Sequence, residues 1–303
     1  MDAEAVLDCL VIGGGPAGLT ASIYLARFRR NFHVIDSNAS RAAWIPVSHN
    51  HAGFPEGIHG TDLRARMSAQ ARKYGAPIHA GTVTDLHRTP EGLFAARVDD
   101  REILARTVLL ATGVIDEEPK LPGIYQAVQR GLTRHCGICD AYEVIDHRIA
   151  VLGHGSSGLG EALFLRTYTA NITLFSLGRE LDLSPDEQQR AAEAGIVLIE
   201  EPVTEVVVED DQIRALRLRS CDCHEFDTLY SALGSTARSS LATNLGAAAG
   251  KDGCLIVDRH QRSSVDGLFV AGDVALGLDQ ISVAMGEAAV AATAIHNRLR
   301  ARR

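Results

Sequence analysis

At 303 residues the chain exceeds the usual reach of a single hydrophobic core, so two domains are the expectation. Hydrophobic residues make up 46% and charged residues 22%, the balance of an ordinary soluble globular protein. A net charge of −8 gives no electrostatic reason to expect nucleic acid or an anionic membrane as partner. No stretch approaches the roughly 18 uninterrupted apolar residues of a membrane span. Met1–Asp8 carries acids where a secretory signal needs positive charge, so a cytoplasmic location is expected.

Residues Ala5–Ile12 read as a short buried strand, apolar apart from Asp8. The turn Gly13-Gly14-Gly15-Pro16-Ala17-Gly18 follows, then a helix from Leu19 to about Phe28 and a second strand, Phe32–Ile35, ending on Asp36. This is a βαβ unit. In Gly13-x-Gly15-x-x-Gly18 the first glycine permits the tight turn, the second lets backbone approach a pyrophosphate, and the third lets helix and strand pack closely. The free N–H groups and dipole at the helix start favour the anion. Asp36 lies roughly 20 residues on, where an acid accepts hydrogen bonds from a ribose.

The pattern recurs as strand Arg148–Leu152, turn Gly153-His154-Gly155-Ser156-Ser157-Gly158, a helix to about Thr167 and strand Asn171–Phe175. Two dinucleotide-type folds are therefore expected in one chain. Pro119–Pro122 and Ser235–Asn244 have the polar, Gly/Pro/Ser-containing composition of connections into and out of an inserted domain. The expected division is 1–118 and 239–303 for the first domain and 119–238 for the inserted one. Gly267–Val274 and an Ala-rich helix from about Ile281 to Leu299 close the chain. The basic tail Arg298, Arg300, Arg302, Arg303 reads as a solvated helix C-terminus.

Six cysteines in a chain of this length do not make a disulfide scaffold, and in the cytoplasm a Cys-x-x-Cys is more readily catalytic than structural. Cys136-Gly137-Ile138-Cys139-Asp140 can form and break a disulfide with little backbone movement, and placement at a helix start lowers one thiol's pKa. No second Cys-x-x-Cys or spaced His pair completes a tetrahedral metal set. Cys221 and Cys223 beside His224 fall in a charged segment and read as surface loop, and Cys9 as a buried small hydrophobe. His135 either shares proton transfer with the pair or is a solvated neighbour.

Together, Gly13–Gly18, Ala111-Thr112-Gly113 and Gly272-Asp273 resemble the FAD-binding signature of the two-domain disulfide reductases. Asn50-His51-Ala52-Gly53-Phe54-Pro55-Glu56-Gly57-Ile58-His59-Gly60, the pair Gln70-Ala71, Asp279-Gln280 before Ile281, and Cys-x-x-Cys-Asp ahead of the second βαβ unit are similar to low-molecular-weight thioredoxin reductases. The resemblance runs nearly end to end. It implies an α/β protein with an FAD domain and an inserted NAD(P)-type domain, both Rossmann-like, and a homodimer. It implies that Asp273 binds the ribityl–pyrophosphate region, Gln280 and Ile281 border the isoalloxazine, Val83 offers its backbone to the adenine, and Asn50 lies near the flavin. Cys139 would face the flavin, Cys136 would attack the disulfide of thioredoxin or a thioredoxin-like protein, and Asp140 would serve as general acid/base.

Two departures mark the chain. After the second strand the NADPH-dependent members place a His-Arg-Arg cluster for the 2′-phosphate, whereas this chain reads Ser176-Leu177-Gly178-Arg179. No carboxylate ends that strand to favour NAD, and Arg179 alone offers a phosphate a weak hold. Where the family has Gly-Gly-Gln-Leu against the flavin, this chain has Ser40-Arg41-Ala42-Ala43. The electron donor is thus open among NADPH, NADH, ferredoxin, flavodoxin and a second flavin. A dithiol oxidase using oxygen and a flavin-binding redox sensor are the competing functions. Oxidases of this type usually carry His where Asp140 stands, which favours a reductase.

Overall fold

The computed structural model describes residues 6–301 except 123, 125, 126, 128, 129, 131 and 211. Ala5, expected at the start of the first strand, and Arg302 and Arg303 of the basic tail lie outside the described residues. The chain divides into two compact units: one from 1–47, 51–115 and 236–303, the other from 48–50 and 116–235.

In the first unit, β1 (Leu7–Ile12), α1 (Pro16–Arg27), β2 (Phe32–Asp36), α2 (Gly60–Lys73) and β3 (Ile78–Ala80) come first. β4 (Val83–Arg88), β5 (Phe94–Val98), β6 (Arg101–Leu110) and β7 (Val114–Asp116) follow. β1 is flanked by parallel neighbours β2 and β6. Its run is apolar on both faces because both are covered: Cys9 and Val11 pack with the small residues of α1, and Leu10 and Ile12 join the opposite cluster. Asp8, the polar exception, lies 3.7 Å from the guanidinium of Arg30. α1 begins at Pro16, three residues before the sequence reading put it, because a proline at the first helical position lacks only an N–H that would have no helical partner there. β6 is long enough to serve two pairings. Arg101–Ala105 runs antiparallel to β5, and Ala105–Leu110 runs parallel to β1.

The second unit opens with β8 (Thr133–Arg134) and the short helix α3 (Gly137–Asp140). Then come β9 (Ile149–Leu152), α4 (Gly155–Leu165), β10 (Ile172–Phe175), α5 (Pro185–Glu193) and β11 (Val197–Ile199). An antiparallel trio follows, β12 (Val203–Glu209), β13 (Gln212–Leu218) and β14 (Cys223–Glu225), and then β15 (Thr228–Ser231). The parallel sheet runs β11-β10-β9-β15-β8. β9 is wholly buried: Ile149 and Val151 face the cluster containing α4, and Ala150 and Leu152 face that of the antiparallel trio.

The chain returns through β16 (Ser235–Ala237) and a short helix, α6 (Ser240–Thr243), to β17 (Leu268–Val270) and the long α7 (Ile281–Ala301). β17 lies on β6, and α7 packs its alanines Ala284, Ala288, Ala291 and Ala292 into the cluster of Ala17, Ala21 and Leu25. β7 and β16 pair with each other. Pro119–Pro122, expected as a connection, forms neither helix nor strand, whereas Ser235–Asn244 contains β16 and α6 rather than loop throughout; the β7–β16 pairing satisfies N–H and C=O groups that a free linker leaves to water. No described helix is long and apolar enough to cross a membrane.

Candidate active site

The first glycine turn is built so that side chains cannot enter it. A Cβ on Gly13, whose φ is +116°, would stand 2.2 Å from the carbonyl oxygen of Ala111, and one on Gly18 would stand 1.8 Å from that of Gly13. Neither neighbour can yield, since both are backbone, so β1, α1 and the end of β6 close to distances only glycine permits. Gly15 caps α1 and Pro16 occupies its first turn, leaving the helix start open to an anion. At Gly14 a Cβ would fall 2.1 Å from Cγ of Asp36, so it would displace that side chain. Ala111, Thr112 and Gly113 continue from β6; the Thr112 hydroxyl donates to the carbonyl of Arg238 at 2.7 Å, and Gly113 takes φ +67°.

Asp36 is buried at the end of β2 and accepts from the N–H of Asn38 at 2.9 Å and from Arg64 at 3.1 Å. It lines a cleft of about 350 Å³ with Asn38, Thr61, Arg64 and Arg72. Val83 opens β4, buried. Gly272, at φ +79°, lies against α1, where a Cβ would come within 3.1 Å of Ala17. Its N–H donates to Glu287 of α7 at 2.8 Å, and burial raises that carboxyl above its usual range. Asp273 follows and pairs with Arg41 at 3.1 Å; the same guanidinium nitrogen lies 3.6 Å from Asp279. Arg41, a departure at sequence level, thus bridges two acids. Gln280 and Ile281 stand at the head of α7, the N–H of Ala284 donating to the Gln280 carbonyl.

In the second unit Cys136 and Cys139 are joined as a disulfide, their Cα atoms 5.3 Å apart. Cys136 is the N-cap of α3. Asp140 has both oxygens engaged: Arg134 of β8 donates at 2.8 Å and the Tyr230 hydroxyl of β15 at 2.7 Å. Tyr230 is fully buried, and burial followed by the charge of Asp140 drives its hydroxyl pKa far upward, so it acts only as a neutral donor. His135 lies 2.6 Å from Glu118. Asn50 belongs to this unit and donates to the carbonyl of Ile138 at 3.3 Å. Among the other cysteines, Cys9 is buried and desolvation pushes its thiol up to about 12, whereas Cys221 is exposed in a turn and Cys223, expected with it in a surface loop, is exposed but opens β14, paired with Arg217 of β13.

The second glycine turn has different surroundings. Gly153 and Gly158 also approach closely, though less so than the first pair, a Cβ on Gly158 falling 2.7 Å from the carbonyl carbon of Gly153. Gly155, at φ +58°, donates its N–H to the carbonyl of Leu181 at 2.7 Å. Ser156 and Ser157 form the first turn of α4. Arg179 lies 3.0 Å from Nε2 of His154. Leu177 and Gly178 turn the chain through positive φ, +59° and +83°.

Sequence reasoning passed over Arg134, Tyr230 and Arg64. A signal for one was legible: Tyr230 is the phenol of a wholly buried four-residue strand, and a buried hydroxyl needs a partner.

The family model for pyridine nucleotide-disulphide oxidoreductases matches residues 7–288. The chain is 28% identical to thioredoxin reductase of Aquifex aeolicus, over 89% of this chain and 86% of that protein. It is 30% identical to thioredoxin reductase of Mycolicibacterium smegmatis, over 89% of each. The solved thioredoxin reductase of Streptococcus pyogenes superposes with a TM-score of 0.91 at 26% identity, covering 99% of this chain and all of that one. With the two dinucleotide folds and the Cys136–Cys139 disulfide, the chain belongs to the pyridine nucleotide-disulphide oxidoreductases, as an enzyme of the bacterial thioredoxin reductase type.

Proposed function

We propose that the protein is an FAD-dependent dithiol/disulfide oxidoreductase that reduces the disulfide of thioredoxin or a thioredoxin-like protein, drawing electrons from a carrier other than NADPH. The observation that carries this is the Cys136–Cys139 disulfide at the cap of α3, with Asp140 held beside it by Arg134 and Tyr230.

The first unit fits FAD. The side-chain-free turn at Gly13, Gly14, Gly15 and Gly18, with Pro16 and Ala17 in the helix start, would hold the pyrophosphate, and Asp36 would take the adenosine ribose in the cleft it lines. Ala111, Thr112, Gly113, Gly272, Asp273, Gln280 and Ile281 would hold the rest of the cofactor, with Val83 at the adenine; Asn50, expected near the flavin from the family resemblance, belongs to the second unit. When bound, FAD supplies a two-electron carrier to the cysteine pair.

The cysteines perform thiol–disulfide exchange. Asp140 takes the proton of the Cys136 thiol; the resulting thiolate attacks one sulfur of the substrate disulfide, forming a mixed disulfide, and the other sulfur leaves and takes that proton back from Asp140. Cys139 then attacks Sγ of Cys136, restoring the intramolecular disulfide and releasing the second substrate thiol.

A carrier other than NADPH is favoured because the groups near the second turn are Leu177, Gly178 and one arginine, Arg179, which already contacts His154. A 2′-phosphate binds best to paired guanidiniums. A protein donor such as ferredoxin or flavodoxin, or a second flavin, would then feed the centre. A cytoplasmic homodimer belongs to the same proposal, and sedimentation tests the dimer. The reaction itself is tested anaerobically by mixing the yellow holoprotein with reduced thioredoxin or dithiothreitol, and separately with NADPH. Bleaching by dithiols and little or none by NADPH is expected; flavin that dithiols leave oxidised would overturn the proposal.

A further inference from the structure

The redox helix is held at its start by a residue from a different element. The N–H of Gly137, the first helical residue after Cys136, donates to Oε1 of Glu161 at 2.8 Å. Glu161 projects from α4. The approach is close: a Cβ at Gly137 would stand 2.9 Å from Oε1 of Glu161 and 2.9 Å from Cδ1 of Phe164, also on α4, so one of them would have to shift. The α3 N–H that would otherwise favour a thiolate at the helix start is thereby given to a carboxylate.

Asp140 lies on α3 itself, paired with Arg134 from β8 and bonded to Tyr230 from β15. His135 precedes Cys136 and faces Glu118. Glu161 comes from α4 and accepts the N–H of Gly137. Burial, followed by the nearby charge of Asp140, raises its carboxyl above the ordinary range.

We propose that Glu161 is a positioning residue for the redox pair, anchoring the first turn of α3 through Gly137 and setting the balance between thiolate and disulfide by placing an acid where the helix start would otherwise be purely electropositive. An anion beside a thiol opposes thiolate formation, and a protonated dithiol is the stronger reductant. Glu161 therefore keeps the couple reducing, as delivery of electrons to a partner disulfide requires. The inference rests on the reading of Cys136 and Cys139 as the redox centre.

The test compares wild type with Glu161→Gln and Glu161→Ala in the full-length holoprotein. Gln keeps the acceptor oxygen and removes the charge; Ala removes both. Two quantities are read: the pH profile of Cys136 alkylation by iodoacetamide in the reduced protein, and the equilibrium of the disulfide with dithiothreitol buffers. Glu161→Gln should raise alkylation roughly tenfold at a fixed pH below the thiol pKa. It should also move the dithiothreitol equilibrium roughly tenfold toward the reduced protein, about 30 mV for a two-electron couple. A Gln variant that retains flavin and melts like wild type, yet keeps both the wild-type pH profile and equilibrium, overturns the inference, whether or not the Ala variant folds. Failure of the parent reading looks different, because wild-type flavin would then not bleach with dithiothreitol at all.

Discussion

An arginine placed at Leu177 should improve NADPH use, and the backbone dictates this position over its neighbour. From sequence, arginines at both Leu177 and Gly178 would restore the missing pair. Leu177 already sits at φ +59°, so a new side chain there inherits strain the fold carries now. Gly178 sits at φ +83°, and a Cβ on it would fall 2.7 Å from Cγ of Pro202. Substitution there adds strain of about 1–3 kcal/mol, and the double variant should lose stability as it gains charge. Leu177 packs at the edge of the Phe175–Val203 cluster, so the single variant forfeits some apolar contact as well. Its gain is one charge-assisted guanidinium–phosphate contact, about 1.5–3 kcal/mol, or roughly ten- to hundredfold in affinity. Anaerobic stopped-flow bleaching with NADPH and NADH reads the result. Wild type should respond slowly to either, and Leu177→Arg should gain with NADPH alone, since only NADPH carries the 2′-phosphate. Rapid, saturable bleaching of the unmodified protein by NADPH would refute the reasoning and make the chain an ordinary NADPH-dependent reductase.

Gly18→Val should eject the flavin and destabilise the first unit by about 1–3 kcal/mol or more, because its Cβ would meet a carbonyl oxygen at 1.8 Å; unchanged 450 nm absorbance per protein would contradict this. Asp140→Asn should slow thiol–disulfide exchange by roughly 10²–10⁴-fold while flavin stays bound, and unchanged turnover with an unchanged pH profile would remove Asp140 from the mechanism. Tyr230→Phe deletes the buried hydroxyl that donates to Asp140 at 2.7 Å. Its expected cost is about 1.5–3 kcal/mol of stability in denaturant titration, and an unshifted midpoint would show that water or another donor replaces it.

The two βαβ units were legible because their signals are local. An apolar strand, a glycine turn and a helix follow one another within 30 residues, and the same glycines that mark the turn permit the close approach of its walls. The cysteine pair at the start of a helix was legible for the same reason. What escaped was assembled across distance. Asp140 meets Tyr230 only because β15 lies between β9 and β8 in the sheet, a strand order that sequence does not display. Arg41 reaches Asp273 across 232 positions. Each unit also carries an antiparallel group, β4-β5 continuing the first sheet from β6 and β12-β13-β14 in the second unit, whose pairings the apolar pattern alone does not fix. Pro119–Pro122 drew attention as a connection through composition alone, while the crossing at Val114–Asp116 is set by pairing with Ser235–Ala237, a partner more than 100 positions away.

The central claim is that Cys136 and Cys139, and not the flavin site by itself, pass electrons between dithiol and cofactor. Anaerobic titration of the FAD-loaded Cys139→Ser variant with dithiothreitol, followed at 450 nm beside wild type, tests it directly. The flavin should remain bound, because the cofactor-holding groups lie at Gly13–Gly18, Asp36 and Asp273, and dithiol-driven bleaching should disappear. Bleaching of Cys139→Ser at the wild-type rate would contradict the account.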